Sequence, residues 1–239
     1  ATPSVPAAAP APAPQVQSAD ISWQLSPSVG SRLLASLYGV SLAAPDRAVA
    51  GVGGSFADPC GDLASDGLAC VRGSAQTWDA LVLEQRPLLL ELRDERRFAA
   101  RALFLGIDGE AAVVADADGL QRAPLALLGQ RWTGSYWYLW QRPAVGAIAL
   151  SEGDAGEEVR IVAQLFADVD GQSAPLTEER YTRALSERVR LFQRARGLQA
   201  DGVAGELTLR ALVLAAGADL TQEAARRQVE LRAEAQVWP

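Results

Sequence analysis

The 239-residue chain contains no histidine and no methionine, and lysine and asparagine are missing as well. Without histidine the chain lacks the side chain that ordinarily titrates near neutrality, and with it the usual general base, thiolate partner and zinc ligand. Cysteine occurs only twice, and two thiols without imidazole do not complete the roughly four ligands of a zinc site. Neither a metal nor a cofactor is expected. Positive charge is also in short supply: 22 basic residues, all arginine, face 29 acidic ones for a net charge of −7. An acidic chain without a basic stripe is a poor partner for nucleic acid, because neutralising phosphates supplies most of that affinity. Anionic membrane surfaces are disfavoured for the same reason. No apolar run approaches the length of a membrane span. The missing lysine and asparagine fit a GC-rich coding bias. The chain begins without Met and without a signal-peptide pattern, so it is expected to be a processed or excised piece of something larger.

What is present supports a packed fold. Hydrophobic residues make up 49% of the chain and include six tryptophans, enough for one medium domain and a small one. Cys60 and Cys70 stand ten positions apart in "CGDLASDGLAC". They are readable as a nucleophile or ligand pair, or as a short disulfide clipping a glycine-containing loop. The residue inventory favours the disulfide, and with it an oxidising compartment.

Composition divides the chain into four parts. Residues 1–20, "ATPSVPAAAPAPAPQVQSAD", read as an extended Pro/Ala tether with nothing to bury. Residues 21–143 read as an α+β domain with an antiparallel sheet. Its helix "SPSVGSRLLASLYGV" turns Leu33, Leu34 and Leu37 inward and closes at Gly39, and "TWDALVLEQ" gives a second helix. The apolar runs 88–92, 101–107, 111–116 and 135–140 read as strands, and "GIDGE" marks a hairpin between two of them. Residues 151–216 read as a bundle of three short amphipathic helices. Val159, Val162, Leu165 and Phe166 share the face of the first, Leu185, Val189 and Phe192 that of the second, and Leu209 and Leu212 that of the third. Glycines between Pro143 and Glu158 suggest a separable joint. Residues 217–239 read as a solvated helical tail.

The string "GDAGEEVRIVAQLF … RVRLFQRARGLQADGVAGELTLRAL" resembles the small three-helix peptidoglycan-binding domain. The resemblance rests on Gly153, Asp154, Val159, Phe192, Gln193, Gly197, Leu198, Asp201, Gly202, Val203, Gly205 and Thr208. It implies a groove beside the turn, with Gln193, Asp201, Gly202, Gly205 and Thr208 as the peptidoglycan-binding residues. Gly202 and Gly205 can take positive φ and admit a close approach, and Asp201 can bond amides of the turn. One feature departs from the family: "DVDGQSAPLTEERYTRAL", between the first two helices, carries one DG pair and no second glycine at the family's spacing.

The run 21–140 resembles, less closely, the papain-like peptidases that cleave double-glycine leaders. In that family a cysteine opens the first helix and a histidine starts a later strand. Here the helix opens among Ser26, Pro27 and Ser28, and the strand begins at Arg101, although "VVADAD" keeps Asp116. Cysteine catalysis needs a base, and Cys60 has none, so the resemblance implies a peptidase-related domain that does not catalyse.

The combination of a tether, a peptidase-like domain and a peptidoglycan-binding bundle resembles the periplasmic region of the A-component family of type II secretion. That resemblance implies the periplasmic part of an inner-membrane-anchored protein. The implied partners are peptidoglycan, a B component of the same pathway, the outer-membrane secretin and further copies of the chain. Two rivals are a glutamate-based cell-wall hydrolase, with Glu84, Glu91 or Glu95 as acid, and a pure protein-interaction adaptor.

Overall fold

The computed structural model describes residues 27–42, 58–63, 67–93, 97, 99–116, 119–144 and 149–234. The expected tether, Ser26, Glu95 and residues 235–239 lie outside the described residues.

Helix α1 (Pro27–Leu37) buries Leu33, Leu34 and Leu37, and Gly39, at φ +73°, closes it as expected. A one-turn helix, α2 (Cys60–Leu63), leads into strand β1 (Leu68–Ser74). Cys60 and Cys70 are disulfide-bonded, with Cα atoms 5.3 Å apart, so the clip pins α2 against β1. Thr77 caps helix α3 (Trp78–Leu83) by accepting from the Ala80 amide. Strands β2 (Leu88–Arg93), β3 (Ala99–Asp108), β4 (Ala111–Asp116) and β5 (Gly119–Pro124) form a meander. Helix α4 (Leu125–Arg131) then leads into β6 (Trp132–Gln141).

All six strands form one antiparallel sheet in the order β1-β6-β2-β3-β4-β5. The expected DG hairpin joins β3 to β4 through Gly109, at φ +63°. Strand β2 is central, and "LLLEL" is buried throughout, as a strand covered on both faces must be. Its buried charged side chain, Glu91, accepts from Trp137 Nε1 (2.7 Å) and pairs with Arg72 (3.2 Å).

After β7 (Ala149–Leu150) comes the bundle: α5 (Glu157–Asp170), α6 (Arg183–Ala195) and α7 (Glu206–Ala215). Phe166 and Phe192 meet edge to face at its centre, with ring centroids 5.5 Å apart. The short strand β8 (Ala204–Gly205) pairs with β7, tying the entry of the bundle to its second turn.

The expected joint between Pro143 and Glu158 is bridged by one apolar cluster, which runs from Leu88, Phe104, Tyr138 and Trp140 through Leu150 into Val159, Phe192 and Leu212. One expectation needs correction. The tail is helical as expected, α8 (Gln222–Glu234), but it is not merely solvated. Ala225 and Val229 are buried in a second cluster with Leu34, Leu105 and Val113, and Arg232 bonds the Ser36 hydroxyl (2.6 Å) and carbonyl (2.9 Å) at the end of α1.

The lobes meet at a buried ion pair. Arg86 Nε donates to Asp219 Oδ2 (2.8 Å), and its Nη2 donates to the Arg210 carbonyl. Gln222 Nε2 completes the seam on the Leu81 carbonyl (3.0 Å). Desolvation raises the Asp219 pKa, and Arg86 opposes that rise. Removing one partner of a buried pair strands the other charge. Arg86→Met is therefore expected to cost about 3–5 kcal/mol in urea unfolding, and the double variant Arg86→Met/Asp219→Leu to recover part of that loss.

Candidate functional site

The turn between α6 and α7 is built around Gln193. Its side chain is only 2% exposed. Its Nε2 donates to Asp201 Oδ1 (2.8 Å), the Val203 carbonyl (3.0 Å) and Thr208 Oγ1 (3.1 Å), while its Oε1 accepts from the Gly202 amide (2.9 Å). Asp201 Oδ1 also accepts from the Val203 amide (2.9 Å), closing an Asx turn. These bonds favour the ionised form, so the carboxyl of Asp201 titrates below its ordinary value, chiefly through Val203 and then Gln193.

Gly202 sits at φ +77°, as the sequence suggested. A Cβ there would lie 2.6 Å from Ser186 Oγ and 2.9 Å from Arg190 Nε. The Gly202 carbonyl accepts from the Tyr181 hydroxyl (2.9 Å). Tyr181, fully buried, is the residue that sequence reasoning missed. Burial, and after it the Asp201 charge, pushes its phenol pKa up. Its backbone exchanges bonds with Gly153 (3.0 Å) and Asp154 (2.8 Å), so it joins the entry of the bundle to the turn. The available signal was a lone aromatic just before the Thr182 helix cap, inside a polar stretch.

The five expected residues are thus brought together. Gln193 and Thr208 (4% exposed) face inward and satisfy one another, so their polar groups are used within the turn. Gly205 does not take positive φ. It caps α7 with extended backbone (φ −83°), and a Cβ there would meet nothing within 4 Å. Asp201 remains exposed at the turn surface. The first inter-helix turn, where the sequence departs from the family, closes α5 with Gly171 at φ +63°.

In the larger lobe Arg101 lies on β3. It is buried, with Nη1 3.5 Å from Ser31 Oγ on α1. Desolvation lowers its pKa, and Glu91 opposes that effect. Gly30 packs so closely that a Cβ would lie 2.7 Å from Leu89 Cδ1 and 3.4 Å from Arg101 Cβ. Cys60 is held in the disulfide. The acids of the hydrolase reading are also engaged: Glu84 accepts from the Tyr136 hydroxyl (2.6 Å), and Glu91 holds Trp137 and Arg72. Among the described residues no group of three or more Cys, Asp or Glu could hold a metal ion.

Two outcomes follow for the turn. Gly202→Ala forces a strained φ and a clash with α6, and should destabilise by about 1–3 kcal/mol in thermal melts, whereas Gly205→Ala should leave the midpoint nearly unchanged. Because the folded-state pKa of Asp201 is depressed, its stabilisation is present above the ordinary value of 3.8 and is lost as pH falls through the folded value. The melting midpoint of Asp201→Asn should therefore fall less steeply below pH 4 than that of the parent.

Residues 155–212 match the family model described as "Putative peptidoglycan binding domain". General secretion pathway protein A of Aeromonas hydrophila is 27% identical over 158 residues, which cover 66% of this chain. The chain spans only 28% of the length of that relative. The periplasmic domain of the EpsAB fusion protein of the Vibrio vulnificus type II secretion system superposes with a TM-score of 0.58 at 24% identity, covering 84% of this chain and 82% of that one. This likeness establishes a shared fold. The peptidase domain of Streptococcus ComA gives a TM-score of 0.37 at 18% identity over 48% of this chain and 91% of that one, a level that carries no argument. The chain is therefore similar, over 66% of its length, to general secretion pathway protein A, and it matches the putative peptidoglycan binding domain at residues 155–212.

Proposed function

We propose that the chain is a non-catalytic peptidoglycan-binding and scaffolding module in the periplasmic part of an inner-membrane-anchored type II secretion protein. The observation that carries this reading is the match of residues 155–212 to the peptidoglycan-binding family, a span that includes the hydrogen-bonded Gln193–Gly202 turn. Asp201 and the backbone around Gly205 form its accessible surface. The module holds the secretion machinery to the cell wall and helps to place the secretin, in concert with a membrane-anchored B component. Similarity to general secretion pathway protein A supports that assignment. A small, wet site offers a few hydrogen bonds of about 1 kcal/mol each. Firm retention then requires several copies of the chain on one polymer, which favours a homo-oligomer.

Absence of catalysis is supported by the residue inventory. The chain has no histidine, Arg101 stands at the strand position of the base, and Cys60 is bonded to Cys70. No turnover of a double-glycine leader peptide is expected, and turnover abolished by Cys60→Ala would overturn the reading.

The binding arm is tested by sedimentation with purified sacculi. The parent should pellet with them without reducing their turbidity. Gly205→Trp places bulk in open space beside the turn at a backbone conformation that any residue tolerates, so it should lower retention several-fold with an unchanged melting midpoint. Equal retention of that variant would put the groove elsewhere, and retention by neither protein would leave the adaptor reading in its place.

A further inference from the structure

The seam between the lobes encloses a cleft of about 290 Å³ that the turn does not use. Its polar walls are Glu84 and Arg86 from the loop between α3 and β2, Tyr138 from β6, and Arg196 and Arg210 from the bundle. Arg86 is neutralised by Asp219. Arg210 donates to the Tyr138 hydroxyl, a neutral partner, and Arg196 lies 5.3 Å above the Phe192 ring. Neither Arg196 nor Arg210 forms an ion pair with any carboxylate among the described residues. In a chain with 29 acidic residues and 22 basic ones, a concavity where two guanidiniums have no carboxylate partner, and Glu84 is the one carboxylate in the wall, calls for explanation.

The remaining walls are apolar. Leu198 and Leu207 flank the turn and also line the cleft, so it adjoins the candidate site. Leu83 and Leu207 leave 79% and 60% of their surface exposed. A planar guanidinium presents paired donors that match a carboxylate, and low-dielectric walls strengthen that attraction. The cleft is at the small end of ligand sites, which run from about 300 to 1,000 Å³, so it fits the end of a chain better than its length. Glu84, one oxygen of which is held by Tyr136, adds an acceptor for a peptide N–H.

We infer that this cleft is a subsite for the free carboxylate end of a short peptide with small apolar side chains, held by Arg196 and Arg210 between leucine walls. Such chemistry is offered by the stem peptides of peptidoglycan, and in that respect the inference rests on the proposed function. The turn then contacts the polymer while the seam between the lobes reads its peptide end.

The probe is N-acetyl-D-alanyl-D-alanine, titrated into the full chain calorimetrically alongside its C-terminal amide. The acid should bind, and the amide should bind at least about tenfold more weakly, as expected for loss of a charge-assisted contact. Arg196→Gln/Arg210→Gln should lose a similar factor for the acid. Should that variant melt early, Leu207→Glu, made at an exposed position, sets a repelling carboxylate at the rim and should weaken binding likewise. Equal affinity for acid and amide, or undiminished binding by a folded variant, overturns the subsite. A parent that pellets with sacculi but ignores the dipeptide overturns the subsite alone, whereas failure in both assays overturns the proposed function as well.

Discussion

The pair between Arg86 and Asp219 is the constraint on which the arrangement of the two lobes depends. Arg86, in the loop between α3 and β2, enters a buried space where its charge would be costly alone. Asp219 supplies the countercharge from the segment after α7, and the Arg210 carbonyl takes a second donor. Asp219 is itself held by the Leu220 amide (2.8 Å) and, more weakly, by the Tyr38 hydroxyl (3.4 Å) just beyond α1. One ion pair thus ties α1, α3, α7 and the start of α8 to a single point. A buried pair of this kind adds little net stability over an apolar substitute, but its geometry is unforgiving. It fixes how the bundle is docked, while the continuous core from Trp140 through Leu150 to Val159 supplies the cohesion.

That docking explains why α8 is needed. A three-helix bundle ending at Ala215 would leave the β3 side of the sheet beside α1 uncovered. Helix α8 lays Ala225 and Val229 there, next to Leu105 and Val113, and Arg232 clamps the end of α1. The C-terminal segment therefore reaches back across the lobe seam and covers the domain that comes first in the chain. The Arg86–Asp219 pair and the Gln222 bond to Leu81 lie along that path, so the cleft walls are set by the same contacts that hold the lobes together.

Much of this was legible in the residues where a local rule has one physical solution. The Gly39 stop, the DG hairpin at Gly109 and the inward faces of α5, α6 and α7 each follow from backbone sterics or helical period. Strand β1, "LACVRGS", was missed because its residues are mostly half-exposed and Gly73 interrupts it; there Gly73 makes room for the Tyr136 ring, which a Cβ would meet at 2.3 Å. Strand β5 ends in a proline at the sheet edge and gives no alternating signal. Glycine composition near Gly153 reports backbone freedom and not the apolar cluster that runs beneath it. Gln193 and Thr208 were legible as members of a constellation but not in direction. A polar side chain at a turn reads the same in sequence whether it faces water or satisfies buried amides, and only the surrounding donors decide.

The arginine-only chemistry of the chain unites these observations. Guanidinium groups stack over Trp137, Tyr138, Phe166 and Phe192 at 4.9 to 5.7 Å, a use to which the compact, strongly hydrated lysine ammonium is less suited. The same planarity lets Arg86 serve a carboxylate and a carbonyl at once inside the seam. It also lets Arg196 and Arg210 present paired donors to the cleft. With no histidine in the chain and both thiols bonded, the cleft has neither an imidazole nor a free thiol among its walls. A site built this way is suited to constant attachment and poorly suited to release on demand, as the proposed scaffold role would require.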